Sequence, residues 1–221
     1  MAGNNNVTRG RSCIIAREGW IFIFLFGAIS ALFFSFGFWI LGVPLLFLTL
    51  FTVYFFRNPE RVGPEGDGLV ISPADGRVVE VSQLENNDYT SGPSKKIGIF
   101  MSVFNVHVNR APISGEVQDI KYHPGKFLVA SRDKASNDNE RNAIILDIGK
   151  SSPIAVVQIA GLVARRIVCY LSKGLKICQG ERLGLIRFGS RVDVYLPLES
   201  DVDVSIGDRV KAGVTIIGRV K

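Results

Sequence analysis

Metal ligands are scarce in this chain. It has two histidines, His107 and His123, and three cysteines, Cys13, Cys169 and Cys178, in 221 residues. Three cysteines cannot complete a four-thiolate zinc site, and two histidines do not make a His-rich centre. No metal is therefore expected. The odd cysteine count, without CxxC spacing, argues against a disulfide scaffold and fits a reducing compartment. A Walker A loop is absent, and no GxGxxG follows a strand and opens a helix, which argues against nucleotide binding. GxSxG and HExxH are missing too. Lysine plus arginine exceed aspartate plus glutamate by 26 to 20. They form no dense cluster and no stripe interleaved with aromatics, so nucleic acid is not an expected partner. An anionic membrane surface suits this mild basicity better.

One stretch has no charge at all. Gly19 to Phe56 runs for 38 residues without Asp, Glu, Lys or Arg and holds 11 of the 15 phenylalanines and both tryptophans. That is about twice the ~20 residues that cross a bilayer. A cleavable secretory signal has a far shorter apolar core, so an uncleaved membrane anchor is expected at 19–56, after a polar basic tail at 1–18. Gly42-Val43-Pro44 is expected to break the helix, since proline lacks the backbone donor. Arg9, Arg11 and Arg17 precede the run, and Arg57 and Arg61 follow it. By the positive-inside tendency this favours a tight hairpin with both ends on the cytoplasmic side, a single tilted span being the alternative.

Residues 57–221 have a different texture. Gly63-Pro64-Glu65-Gly66-Asp67-Gly68 reads as a turn-rich linker. Short β-type runs then alternate with turn residues: Gly76–Ser82, Lys96–Val108, Gly115–Tyr122, Ala143–Ile148, Ile154–Ala160, Arg191–Pro197 and Thr215–Val220. In Arg191–Leu196, Val192, Val194 and Leu196 share one face, and Arg191, Asp193 and Tyr195 share the other. Ile206 to Gly213 reads as two strands joined by a turn. The expected fold is mainly β, of the barrel-sandwich-hybrid kind seen in lipoyl domains. No hairpin-tip lysine motif for lipoyl or biotin attachment is present, so that likeness concerns fold alone.

Four local features carry chemistry-bearing side chains. Singly, each has a plain reading. Ser72-Pro73-Ala74-Asp75-Gly76 is a hairpin turn. His107, in Val106-His107-Val108-Asn109-Arg110-Ala111-Pro112, is a structural histidine that strand alternation sets on one face with Asn109. Tyr122-His123-Pro124-Gly125-Lys126-Phe127 is a turn. Phe188-Gly189-Ser190-Arg191 is a turn before a strong strand. The order is more telling than the parts. An apolar anchor comes first, then Phe55-Phe56-Arg57-Asn58-Pro59-Glu60-Arg61, the Asp75 block, the His107 block, and Gly189-Ser190 with its strand to Pro197. This resembles the short bacterial and archaeal form of phosphatidylserine decarboxylase, from about residue 55 to the C-terminus.

The resemblance implies a proenzyme that cuts itself at Gly189-Ser190 into a β chain, 1–189, and an α chain, 190–221, which stay associated. Ser190 would attack the Gly189 carbonyl, with His107 as base and Asp75 orienting it. Elimination and hydrolysis would then leave a pyruvoyl group at residue 190. Its ketone would form a Schiff base with the amine of phosphatidylserine, and decarboxylation would give phosphatidylethanolamine. No metal or diffusible cofactor is implied. The remaining partner is membrane lipid, and a homo-oligomer is left open. Where longer members carry a second histidine, this chain has Arg110. Arg110 and Arg191 are candidate contacts for the substrate's phosphate or carboxylate. Two rival readings are an uncleaved membrane-anchored adaptor and a related lyase acting on another amino compound.

Overall fold

A computed structural model describes residues 13–90, 92–125, 139–150, 152–161, 166–187 and 189–221. Residues 1–12 of the expected tail, Lys126 and Phe127 of the His123 turn, and Phe188 of the Gly-Ser block lie outside them. The chain divides between Glu60 and Arg61 into two compact units.

The first unit is a helical hairpin. A single 3₁₀ turn, Arg17–Gly19, leads into α1 (Trp20–Ser35), and α2 is Trp39–Phe55. The break falls at Gly37, seven residues before the expected Pro44. Gly37 has φ 76°, and the Phe38 and Gly37 amides donate back to the Phe33 and Phe34 carbonyls. This is a Schellman stop, which glycine adopts without a Cβ penalty. Pro44 lies inside α2. It removes one backbone donor, but its fixed φ is compatible with a helix. The two helices pack closely: Ser30 Oγ donates to the Gly42 carbonyl at 2.8 Å, and the Phe34 and Trp39 rings meet edge-on at 5.2 Å. At the open end Ile15 bridges Arg57, and the Asn58 side chain donates to the Cys13 carbonyl at 3.0 Å. Much of the outer surface is bare hydrocarbon: Ile21, Phe24, Ile40 and Phe47 are all exposed.

The second unit is mainly β, as expected. Among its described residues are β1 (Leu69–Ile71), β2 (Gly76–Leu84), β3 (Ser94–Met101), β4 (Val108–Arg110), β5 (Gly115–His123), β6 (Arg141–Asp147) and β7 (Ile154–Ala160). They continue with β8 (Ile167–Cys169), β9 (Lys176–Ile177), β10 (Arg182–Ile186), β11 (Ser190–Pro197), β12 (Asp201–Val202), β13 (Arg209–Val210) and β14 (Ile216–Arg219). The main sheet runs β13-β2-β3-β11-β7-β6-β5-β9, and two three-stranded sheets run β1-β14-β12 and β4-β10-β8. Between Ile206 and Gly213 only β13 forms, because Ile206 and Gly207 are themselves a turn. The expected run Lys96–Val108 ends at Met101, and Ser102 to His107 form a loop held by the Asn105 side chain on the Ser102 amide.

All three sheets feed one core. Ile97, Ile99, Val192, Val194 and Leu196 of the main sheet meet Val70 and Ile217 from one small sheet and Leu183 and Ile186 from the other. A second cluster, containing Ala143, Ile145, Ala155, Val157, Ile159 and Tyr195, covers the opposite face of β6, β7 and β11. Strand β11 is therefore buried along its whole length on both faces. Burying an apolar side chain of this size stabilises by roughly 1.5–3 kcal/mol.

Candidate active site

Ser190 is the first residue of β11 and is fully buried. It pairs with Met101 on β3 and with Ala160 on β7. The preceding Gly189 has φ +59°, with open space where a Cβ would stand. The Gly189-Ser190 bond thus enters the middle of the main sheet through a left-handed residue, a conformation that only glycine adopts freely. The Ser190 hydroxyl donates to the Met101 thioether at 3.4 Å. Sulfur is a weak acceptor, so the hydroxyl is held without being activated.

His107 lies one residue before β4 and is fully buried; its strand begins at Val108. Its Nδ1 is 3.0 Å from the Asn105 carbonyl. A carbonyl only accepts, so Nδ1 carries the proton and Nε2 of the neutral ring keeps its lone pair. Asn105 is itself fixed by Ser102, whose amide and hydroxyl both donate to its side-chain oxygen at 2.8 Å.

Asp75 sits in the turn between β1 and β2. Its carboxylate is gripped by both Arg61 nitrogens, Nη2 to Oδ2 at 2.8 Å, and accepts from the Ala212 amide at 2.8 Å. Arg61 also donates to the Ala212 carbonyl at 2.7 Å. The bonds of Asp75 thus go to Arg61 and Ala212 and not to His107; two residues earlier, the Pro73 carbonyl accepts from the Arg110 amide of β4 at 2.9 Å. Arg110 is buried and donates to the Gly180 carbonyl at 2.8 Å. His123 ends β5, partly buried and paired with Arg141.

Arg191 faces away from Ser190 and is fully buried, so it is not a surface contact for an anion. It donates to Asp193 and to Glu80, while Lys96 bridges Glu80 at 3.0 Å and Asp193 at 3.2 Å. A bulge between Val78 and Glu80 turns Glu80 toward Gly98, where any Cβ would overlap the Arg191 guanidinium. Burial works against the charged form of Glu80. The hydrogen bond from Arg191, with Ser82 and Lys96, outweighs it and holds the carboxyl below its ordinary value. Burial likewise opposes the charge on Arg191, and Asp193 with Glu80 outweighs it.

Three buried residues of this region escape a motif reading, Met101, Asn142 and Gln158, and a fourth, Asn109, enters one only as the neighbour of His107 on its strand face. Gln158 Nε2 donates to Asn109 Oδ1 at 2.9 Å, and Asn109 Nδ2 donates to the Met101 sulfur at 3.6 Å. Asn142 donates to Gln158 Oε1 at 3.3 Å. The one signal in the sequence is a lone glutamine inside the apolar run Ile154–Ala160, since an uncompensated amide is costly in a core.

A family model described as phosphatidylserine decarboxylase matches residues 48–218. A phosphatidylserine decarboxylase proenzyme of Syntrophus aciditrophicus (strain SB) is 50% identical over 206 residues, covering 92% of this chain and 96% of that protein. Proteins of the same name from Magnetococcus marinus and Burkholderia mallei are 45% and 48% identical, covering 96% and 94% of this chain and 97% and 95% of their own lengths.

Proposed function

The chain belongs to the phosphatidylserine decarboxylase family, and from that premise we propose that it converts phosphatidylserine to phosphatidylethanolamine with a pyruvoyl group made from its own Ser190. The observation that carries this reading is the Gly189-Ser190 bond, set at a left-handed glycine where the chain enters the central strand of the sheet.

Self-cleavage begins when the Ser190 hydroxyl turns from the Met101 sulfur to a base. Nε2 of His107 is the base, its lone pair aligned because Nδ1–H is held by the Asn105 carbonyl. The oxygen attacks the Gly189 carbonyl, the peptide C–N bond breaks, and an ester joins Gly189 to Ser190 Oγ. Loss of the Ser190 α-proton expels the Gly189 carboxylate and leaves a dehydroalanine. Water hydrolyses its imine tautomer, releasing ammonia. Asp75 serves this step by fixing the 72–75 turn beneath β4.

The residues around position 190 fit such a group. Arg191, locked by Asp193 and Glu80, holds the new chain end, and complete burial of position 190 keeps bulk water away. Once formed, the group supplies a ketone and an adjoining carbonyl that take up the electrons released as carbon dioxide departs. A proton on His107 Nε2 then serves the carbon left behind.

Both fragments would remain together. The α chain, 190–221, contributes β11 between β3 and β7, β13 beside β2, and β14 beside β1. The hairpin would hold the enzyme at the cytoplasmic face of the membrane. Its first helix with the turn before it, Arg17–Ser35, is 19 residues, long and apolar enough to cross, and the second has 17, at the lower end of the range of about 17–25 residues for a span. Basic residues at both ends of the hairpin favour the cytoplasmic side for each.

Intact-mass measurement tests the reading. The purified chain should give two fragments meeting at 189/190, which co-elute natively and separate in denaturant. The smaller should be blocked to Edman sequencing and reactive to carbonyl reagents. Ser190→Ala and His107→Ala should stay whole. A wild-type chain that keeps its full mass and releases no carbon dioxide from phosphatidylserine vesicles would overturn it.

A further inference from the structure

Beside Ser190 lies a row of three buried carboxamides whose direction is fixed by chemistry. A thioether has no hydrogen, so the atom of Asn109 facing Met101 must be its nitrogen. Asn109 Oδ1 then points the other way and accepts from Gln158, whose own oxygen accepts from Asn142. The row comes from β4, β7 and β6, and Asn109 and Gln158 are fully buried. Gly184 makes room for it, since a Cβ there would stand 2.8 Å from Gln158 Nε2. Carboxamides in a core are tolerated when bonded to one another, and they then act as a rigid, polarised unit.

This unit ends on a poor acceptor. Asn109 and Ser190 both donate to the same sulfur atom, at 3.6 and 3.4 Å. In the uncut chain a well-oriented amide donor is thus held beside position 190 with only a thioether to receive it.

We propose that Asn109, aimed by the positioning residues Gln158 and Asn142, is a catalytic residue whose N–H serves the oxygen carried by residue 190 after the serine hydroxyl is gone. The inference rests on the pyruvoyl reading above. A donor aimed where negative charge develops accelerates addition to a carbonyl, and removal of one such donor costs about 10²–10³-fold in the systems where it has been measured. The amide row makes the aim directional. A glutamate at 158 offers no N–H to Asn109 Oδ1, so the Asn109 amide turns over and presents oxygen toward position 190.

The test uses the full-length protein and two variants, Asn109→Leu and Gln158→Glu, followed by three readouts: fragment formation, the rate at which an alkoxyamine probe labels the α chain without substrate, and decarboxylation. Both variants should still be cut, should label at least tenfold more slowly than wild type, and should lose kcat with KM held. If Asn109→Leu does not fold, Gln158→Glu, at a residue whose side-chain hydrogen bonds run to Asn109 and Asn142, decides alone. Labelling and kcat within threefold of wild type in a cut variant would overturn the role of Asn109. A wild-type chain that is never cut would instead overturn the pyruvoyl reading itself.

Discussion

Gly189 has φ +59° and nothing within 4 Å of where a Cβ would stand. An alanine there is resisted by the backbone alone. In a Ser190→Ala background, which the proposed reading keeps whole, Gly189→Ala should lower stability by about 1–2 kcal/mol, read from the denaturant midpoint; an unchanged midpoint would mean that the left-handed turn is not populated. At this scale the residues of the candidate site were legible as short blocks, but not their partners. Gly189, Ser190, His107 and Asp75 stand in short blocks whose order carries the family likeness. What was not legible is how they are held. Arg61 reaches Asp75 across 14 positions, and Met101 reaches Ser190 across 89. No local pattern encodes such pairings, which exist only once strands align.

At the scale of elements, β11 carries apolar side chains on one face and a buried charge cluster on the other. The alternation of Val192, Val194 and Leu196 was visible in the sequence. The bulge that aims Glu80 at Arg191 was not, because it depends on the β2–β3 register. The cluster has a pH signature. Glu80 is held below its ordinary value in the folded state, so its stabilising contribution is complete above the unfolded carboxyl range and is lost as pH falls through the folded value. Glu80→Gln should cost about 1–3 kcal/mol near neutrality, the scale for hydrogen bonds to a charged group, since the Glu80 side chain keeps partial access to solvent. The gap in thermal midpoint between it and wild type should close below about pH 4.5. A gap of constant size down to pH 3 would remove the ionic explanation.

Across the whole molecule, the composition changes abruptly after Phe56, and the two compact units divide four residues later, between Glu60 and Arg61. The hairpin turn was misread at Pro44, because proline is a strong breaker by local chemistry while Gly37, the actual stop, looks ordinary among phenylalanines. The apolar outer surface of the hairpin gives a direct expectation. Phe24→Asp combined with Phe47→Asp places two charges on exposed positions of α1 and α2, each costing about 2.5–3.5 kcal/mol in a hydrocarbon interior. Flotation with anionic vesicles should be lost, while self-cleavage in detergent continues. Flotation at wild-type levels would show that the hairpin does not insert.

The pairing of Ser190 with both Met101 and Ala160 also sets a schedule. A chain that has not closed this sheet has no hydroxyl poised at a left-handed glycine, so arming waits for folding to finish. The reacting groups belong to adjacent residues of one chain. The half-time of conversion should therefore be unchanged over a hundredfold dilution, and a half-time that lengthens with dilution would point to cutting between molecules. On the pyruvoyl reading, unfinished copies would stay inert, and no reactive ketone would meet the amines of the cell before a folded pocket surrounds it.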